Sequence, residues 1–407
     1  MPDLNSPLKL GSLLLKNRNI MASLTRNRSV LTNVPNALNI EYYGQRAIGG
    51  ASLILTEGTL VSQQGTEWPH APGIWSEEQV KAWTKVVDAI HSSGSFTFLQ
   101  LWHVGRVAHP DMPEQKRAGT PVPGPSAIAA RGGKFRTLPG KPGYVTPEVI
   151  DDPWIYVDQF RKGAQNAKAA GFDGVELHSA NGYLVHQFLD STANQRSDEW
   201  GGSIQNRCKF GLECLKAILE TWEPSKVGIK INPCGGYNDV GMSLEETKAT
   251  FGYYLEEISK LQLAYVQIVQ YIPIMDPEIG GKKRATQHDV IETYGPLVNR
   301  EETALLINGT LTPESANELI SSGKADGAVF GNLWIGQPDF QRRIEAGLGD
   351  GAKVYGNPPT YYAVAPGASP RTGYGDYEFV TPLSEAEKEK VEAWKAEAVK
   401  VAPAASD

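Results

Sequence analysis

One alternation limits the fold more than any other feature of the chain. Eight times over, a short apolar or β-branched run is followed by a polar loop and then an amphipathic helical pattern. The runs are Asn19–Ala22, Ala51–Thr56, Phe96–Leu101, Gly174–Leu177, Val227–Ile231, Tyr265–Val269, Ala304–Ile307 and Ala325–Phe330. Their length and their bounding turn residues suit buried parallel strands. Helical patterns follow at Asn36–Ile48, Glu77–Ser92, Pro153–Ala170, Ser203–Trp222, Leu244–Leu261, His288–Asn299, Pro313–Ser322 and Pro338–Ala346. Val80, Trp83, Val86, Val87 and Ile90 make one apolar face. Start signals agree: Asp152 and Thr312 each precede a proline, and Ser243 with Glu246 has capping-box spacing. Eight strands alternating with eight helices predict an α/β fold, a (β/α)8 TIM barrel. The alternative is a doubly wound open sheet, which would usually carry a Gly-rich fingerprint after its first strand; none is present.

Three stretches stand outside the repeat. Leu8–Lys16 reads as an N-terminal hairpin, turning at Gly11-Ser12, that closes one end of the barrel. His103–Thr146 is a long Pro- and Gly-rich loop after the third strand, and residues 347–382 form a C-terminal extension. Loops of this length on a barrel read as a lid or a pocket wall. The expected division is one barrel domain over residues 1–382, including the 103–146 excursion, then a charged helix (Ser384–Val401) and tail over 383–407. A length of 407 residues suits a single barrel with insertions.

Charge narrows the partners. A net charge of −7 argues against nucleic acid or an anionic membrane surface. No run is long enough to span a membrane and no signal segment is visible, so a cytoplasmic protein is expected; the expected state is a monomer or homodimer. Cys208, Cys214 and Cys234 lack metal-type spacing and read as buried small hydrophobes in a reducing compartment. Lys282, Lys283 and Arg284 read as a solvated loop.

Barrel chemistry lies at the C-terminal strand ends. Here those ends carry Thr25, Glu57-Gly58, Gln100, His178, Lys230, Gln270, Asn308-Gly309 and Gly331-Asn332. The set has neither the paired acids of a glycosidase nor a His/Asp metal cluster. Amides, one cation and Gly-rich ends after the last two strands suit a planar, hydrogen-bonding cofactor with a phosphate tail. His178, Asn181 and Tyr183 leave the fourth strand together, two hydrogen-bond donors and a phenol.

The chain resembles the Old Yellow Enzyme family of flavin-dependent ene reductases. The resemblance rests on Leu15–Arg26, Thr56-Glu-Gly58, Gln100–Arg106, Gly171–Tyr183 and, most specifically, Asn194–Arg207. It implies FMN as cofactor, NAD(P)H as reductant and a small-molecule substrate with an activated C=C bond. It also implies that Thr25 bonds the flavin C4 carbonyl, Gln100 holds the pyrimidine edge and Lys230 stands near N1. His178 and Asn181 would then grip the substrate carbonyl, Tyr183 would protonate the α-carbon, and Trp102 and Tyr374 would line the pocket. Ser23, Gly58, Asn308, Gly309, Gly331 and Asn332 would complete the cofactor site.

The chain departs from this family mainly on the cofactor side. Ser23 stands where Pro is usual, Lys230 where Arg is usual, and Asn332 where an Arg normally clamps the phosphate. A lost Arg–phosphate contact is worth about 1.5–3 kcal/mol. A second reading therefore stands beside the reductase: the same barrel turned to isomerase or cyclase chemistry, with weak or no flavin binding.

Overall fold

The computed structural model describes residues 1–30, 33–133, 135, 137, 138, 140–348, 356–365 and 367–401. Eight parallel strands close on themselves: β1 (Asn19–Met21), β2 (Leu53–Leu55), β3 (Phe96–Trp102), β4 (Gly174–Ser179), β5 (Val227–Ile231), β6 (Tyr265–Val269), β7 (Ala304–Asn308) and β8 (Gly327–Phe330). Each pairs with its neighbour in sequence, and β8 returns to β1 with Val329 opposite Ile20. The predicted (β/α)8 barrel is therefore the fold. Its hairpin is also present, with Leu8 paired to Leu15 and Leu10 to Leu13.

Strand alternation divides the interior into two storeys. Leu53, Phe98, Tyr265, Leu306 and Val329 point inward and fill the lower one, plugged from below by Leu8, Leu10 and Leu15 of the hairpin. The Phe98 and Tyr265 rings lie 5.9 Å apart. They occupy space that glycine leaves: a Cβ on Gly174 would sit 2.4 Å from Phe98, and one on Gly228 2.1 Å from Tyr265. Side chains at either position would evict an aromatic ring from the core. The opposite strand faces pack on the helices α1 (Ala37–Ile48), α2 (Glu77–His91), α3 (Pro153–Ala169), α4 (Ile204–Leu219), α5 (Leu244–Ser259), α6 (Val290–Tyr294), α7 (Pro313–Ser321) and α8 (Phe340–Glu345). Trp83, Val86, Val87 and Ile90 of α2 are buried as their spacing predicts. Each such side chain stabilises by about 1.5–3 kcal/mol.

The helix starts follow the sequence closely. Asp152 accepts from Trp154 N at 2.9 Å, and Thr312 forms a full capping box with Ser315. Ser243 accepts from Glu246 N at 3.2 Å, but the Glu246 carboxylate is taken by Arg207 at 3.0 Å, so the expected box is only half formed. The helix expected over His288–Asn299 shortens to α6 and a 3-10 turn at Gly295–Leu297, because Pro296 has no N–H to continue it. α8 starts at Phe340, and an extra turn of helix, Asn332–Gly336, precedes it.

The terminal helix α9 (Glu385–Ala398) lies on α1, with the Trp394 ring over Gly44 and Arg342 paired to Glu387. Residues 402–407 of the expected tail, and 349–355 and 366 of the C-terminal extension, lie outside the described residues. Cys208, Cys214 and Cys234 are buried and unbridged. Among the described residues no helix is long and apolar enough to cross a membrane.

Candidate active site

The upper storey of the barrel is polar for the same reason that the lower one is apolar. Two residues beyond Phe98, Gly174, Gly228 and Tyr265 on their strands stand Gln100, Glu176, Lys230 and Gln267, all buried. The carboxylate of Glu176 accepts from Gln100 Nε2 at 2.6 Å and from the Tyr265 hydroxyl at 3.0 Å. Burial pushes its pKa up, and the Lys230 charge opposes that. Burial pushes the Lys230 ammonium down, opposed in turn by Glu176. The two buried groups of opposite sign thus act on each other below the barrel mouth without an ion-pair contact.

Several polar groups here lack partners. Among the described residues both amide atoms of Gln267 and the hydroxyl of Ser23 are buried without a hydrogen bond, and the buried Lys230 is Gln267's neighbour across the sheet. A buried polar group left unpaired costs about 1–3 kcal/mol. A planar ring system rich in carbonyls and ring N–H groups would satisfy them, so the donor set fits the flavin that the sequence implies. Further out, the backbone N–H groups of Gly309, Gly331 and Asn332 have no partner among the described residues, which suits a phosphate.

The end of β4 carries the other half of the site. His178 is buried, and its Nδ1 accepts from Ala180 N at 3.3 Å, which leaves the proton on Nε2. Burial, then Lys230, hold its pKa well below the usual histidine range, so the ring is neutral. Its ring meets that of Tyr183 edge-on at 5.0 Å, and Tyr183 meets Trp102 edge-on at 5.0 Å. Burial raises the Tyr183 pKa well above the ordinary value, so the phenol keeps its proton. Asn181 adopts a left-handed backbone (φ 57°), and its Oδ1 accepts from Asn232 Nδ2 at 2.9 Å. What remains facing outward is a neutral N–H donor, an amide NH2 and a protonated phenol.

Other expected positions are placed less simply. Thr25 is half-buried on the loop leaving β1, which is held by Glu57: the carboxylate accepts from Arg26 N at 3.0 Å and from Asn27 N at 3.3 Å. Gly58 lies against the Trp102 ring, 2.9 Å from where its Cβ would be. Trp102 is buried, walled by Trp68 at 6.0 Å. One N–H of Gln100 is committed to Glu176, which leaves its oxygen and its second N–H for a cofactor edge. Asn308 donates its amide to Val329 O at 2.8 Å and ties β7 to β8. Gln270 lies past the end of β6, and the inward amide of that strand is Gln267. The Asn332 side chain is exposed and makes no hydrogen bond among the described residues.

One expectation is corrected. Tyr374 does not line the pocket: it is fully buried, stacked on Tyr42 at 4.2 Å, with its hydroxyl accepting from Asn39 at 3.1 Å. It anchors the C-terminal extension to α1, helped by the Arg26 guanidinium 5.0 Å from its ring. The tail residue beside the aromatic wall is Tyr362, 5.8 Å from Trp68. Arg284, read as solvated, bonds Thr192 at 2.6 Å and faces Asp239.

Glu176, Gln267, Asn232 and Tyr362 escaped the sequence reading. For the first two a signal existed: Glu176 stands two residues before His178, and Gln267 pairs with Lys230 across the sheet.

The sequence profile of the NADH:flavin oxidoreductase / NADH oxidase family matches residues 3–351. The chain is 36% identical over 384 residues to the NADP-dependent oxidoreductase lnbE of Aspergillus flavus, covering 93% of this chain and 97% of that one. It is 36% identical over 356 residues to the probable inactive reductase easA of Epichloe festucae var. lolii, covering 85% and 89%. Among solved structures it is similar to the Old Yellow Enzyme homologue of Zymomonas mobilis, with TM-score 0.80 and 31% identity over 93% of this chain and 100% of that one.

Proposed function

The chain belongs to the NADH:flavin oxidoreductase / NADH oxidase family and is built as an Old Yellow Enzyme; on that premise we propose that it is an FMN-dependent ene reductase, using NAD(P)H to reduce the activated C=C bond of an α,β-unsaturated carbonyl compound. The observation that carries the reading is the state of the β4 end: a neutral imidazole with its proton on Nε2, edge-on at 5.0 Å to a phenol that stays protonated.

Lys230 and Gln267 would hold the flavin, which when bound would supply the hydride exchange between nicotinamide and alkene. The chain does the rest. His178 Nε2–H and Asn181 Nδ2–H donate to the carbonyl oxygen and draw electron density out of the conjugated alkene. Tyr183 holds the proton that the α-carbon takes up. Trp68, Trp102 and Tyr362 wall the site with aromatic surface, which favours apolar enones over charged substrates.

Purified protein should be yellow, or turn yellow on incubation with FMN. Anaerobic NADPH should bleach it, and cyclohex-2-enone should restore the colour. Protein that stays colourless in excess FMN would sink this reading in favour of the non-redox isomerase or cyclase. Two observations support that second reading: the exposed Asn332 side chain where the family clamps its phosphate, and the relative named as inactive. Asn332→Arg should tighten FMN binding by about 10- to 100-fold, the worth of one Arg–phosphate contact. An unchanged Kd in a fluorescence titration of flavin-free protein would show that the phosphate does not sit there.

A further inference from the structure

An amide side chain has two ends of nearly equal shape and opposite polarity. Turned one way, Asn181 offers its NH2 to a carbonyl oxygen; turned the other, it offers a carbonyl that repels one. His178 is held in its donor state by Ala180 N, but something else must settle Asn181.

Its backbone is already fixed. The Asn181 carbonyl accepts from Asn238 Nδ2 at 2.9 Å, and Asn238 Oδ1 accepts from the Tyr144 hydroxyl at 2.7 Å. Tyr144 belongs to the long loop after β3, so that loop braces the segment from above. The loop after β5 comes so close that a Cβ on Gly182 would sit 2.5 Å from Tyr237 O. The left-handed backbone of Asn181 is thereby pinned, and rotation of its amide is the freedom that remains.

Asn232 removes that freedom. It is buried at the mouth end of β5, two residues past Lys230, and its Nδ2 donates to Asn181 Oδ1 at 2.9 Å. We propose that Asn232 is a positioning residue: by occupying the acceptor end of the Asn181 amide it turns the donor end to the substrate, and so sets the polarity of the carbonyl grip. The inference rests on the reading of His178 and Asn181 as that grip. The Asn232 Oδ1 has no partner among the described residues, so the direction of the bond is what needs testing.

Asn232→Asp is close to isosteric and can only accept when ionised. It would draw the Asn181 NH2 towards itself and leave Oδ1 facing the ligand. The measurement is the Kd of cyclohex-2-enone for the oxidised, FMN-loaded protein with no reductant, by calorimetry. Four proteins are compared with wild type: Asn181→Ala, Asn232→Asp, Asn232→Ala, and Asn181→Ala combined with Asn232→Asp. Asn232→Asp should weaken binding by about tenfold or more, and Asn232→Ala by only about two- to threefold. In the Asn181→Ala background the Asp substitution should change nothing further, a coupling that a merely structural role would not produce. FMN affinity and Tm are read alongside, and the loss of enone affinity should not track either.

Equal binding by Asn232→Asp and wild type, with Asn181→Ala weakened, would mean that both amides are turned over and would overturn the assignment. Additive losses in the double variant would overturn it as well. An Asn181→Ala protein that binds the enone as wild type does would remove the grip itself, and this inference with it. If Asn232→Asp does not fold, the same cycle run with Asn232→Ala decides between coupled and additive losses.

Discussion

Tyr183→Phe should slow alkene reduction by about 10²–10⁴-fold, the usual contribution of a positioned proton donor, while anaerobic bleaching by NADPH keeps nearly its wild-type rate. Both halves of that expectation come from the same contacts. Tyr183 is buried, lies edge-on to the rings of His178 and Trp102 at 5.0 Å each, and has its pKa raised well above the ordinary value. Phenylalanine keeps both ring contacts and removes only the hydroxyl, so the pocket and the grip by His178 and Asn181 should persist. The KM for cyclohex-2-enone should therefore move little while the turnover number falls, the pattern of a group needed in the transition state alone. The raised pKa also fixes the pH dependence. The phenol keeps its proton through the neutral and mildly alkaline range, so the wild-type rate of alkene reduction should not fall between pH 7 and 9 for want of it. Stopped-flow measurement of each half-reaction decides the matter. Equal slowing of both would mean that Tyr183 shapes the site and does not donate.

How much of this could be read from the sequence depended on distance along the chain. Strand and helix positions came from periodicity, which is local, and the barrel followed because eight alternations leave few ways to bury eight strands. His178, Asn181 and Tyr183 were legible because they leave one strand within six residues. Tyr374 was misplaced because local sequence cannot say which tyrosine of the extension turns inward. Tyr362 took the wall, and Tyr374 stacked on Tyr42, more than three hundred residues away in sequence. Asn232 was invisible for a similar reason: its meaning lies in a 2.9 Å bond to the neighbouring strand's loop. Pro296 is the opposite case, a local signal that was present and outweighed by the apolar pattern around it.

Gln100 and Lys230 show the limit of carrying a role over residue by residue. Each stands at its expected strand end, yet both face Glu176, a residue that strand-end reading passes over: Gln100 bonds its carboxylate at 2.6 Å, and the Lys230 charge acts on it without an ion-pair contact. That gives Lys230 a second duty besides any cofactor, and Lys230→Met should expose it. Removing one member of a contacting buried pair costs about 3–5 kcal/mol, because the other charge is left uncompensated; for these two groups, which make no ion-pair contact, that figure is the upper bound. The carboxyl of Glu176 already has its pKa raised by burial, with Lys230 pulling it back. Without Lys230 it should rise further. A carboxyl whose folded-state pKa lies above its unfolded value contributes stability that is complete below the unfolded pKa and lost as pH rises through the folded one. The variant should accordingly lose the full amount near pH 8, and much less near pH 5, where Glu176 can take up a proton. Adding Glu176→Gln should restore most of the loss at pH 8, because a neutral amide can still accept from Gln100. Urea unfolding of the flavin-free proteins at the two pH values measures this directly. A loss equal at pH 5 and pH 8, or a double variant no more stable than the single one, would show that Lys230 does not compensate Glu176. The expected outcome would instead mean that the barrel keeps a buried cation directed at its mouth for the sake of the carboxylate beneath it. Lysine in place of the family's usual arginine can do that with one charge and no fork.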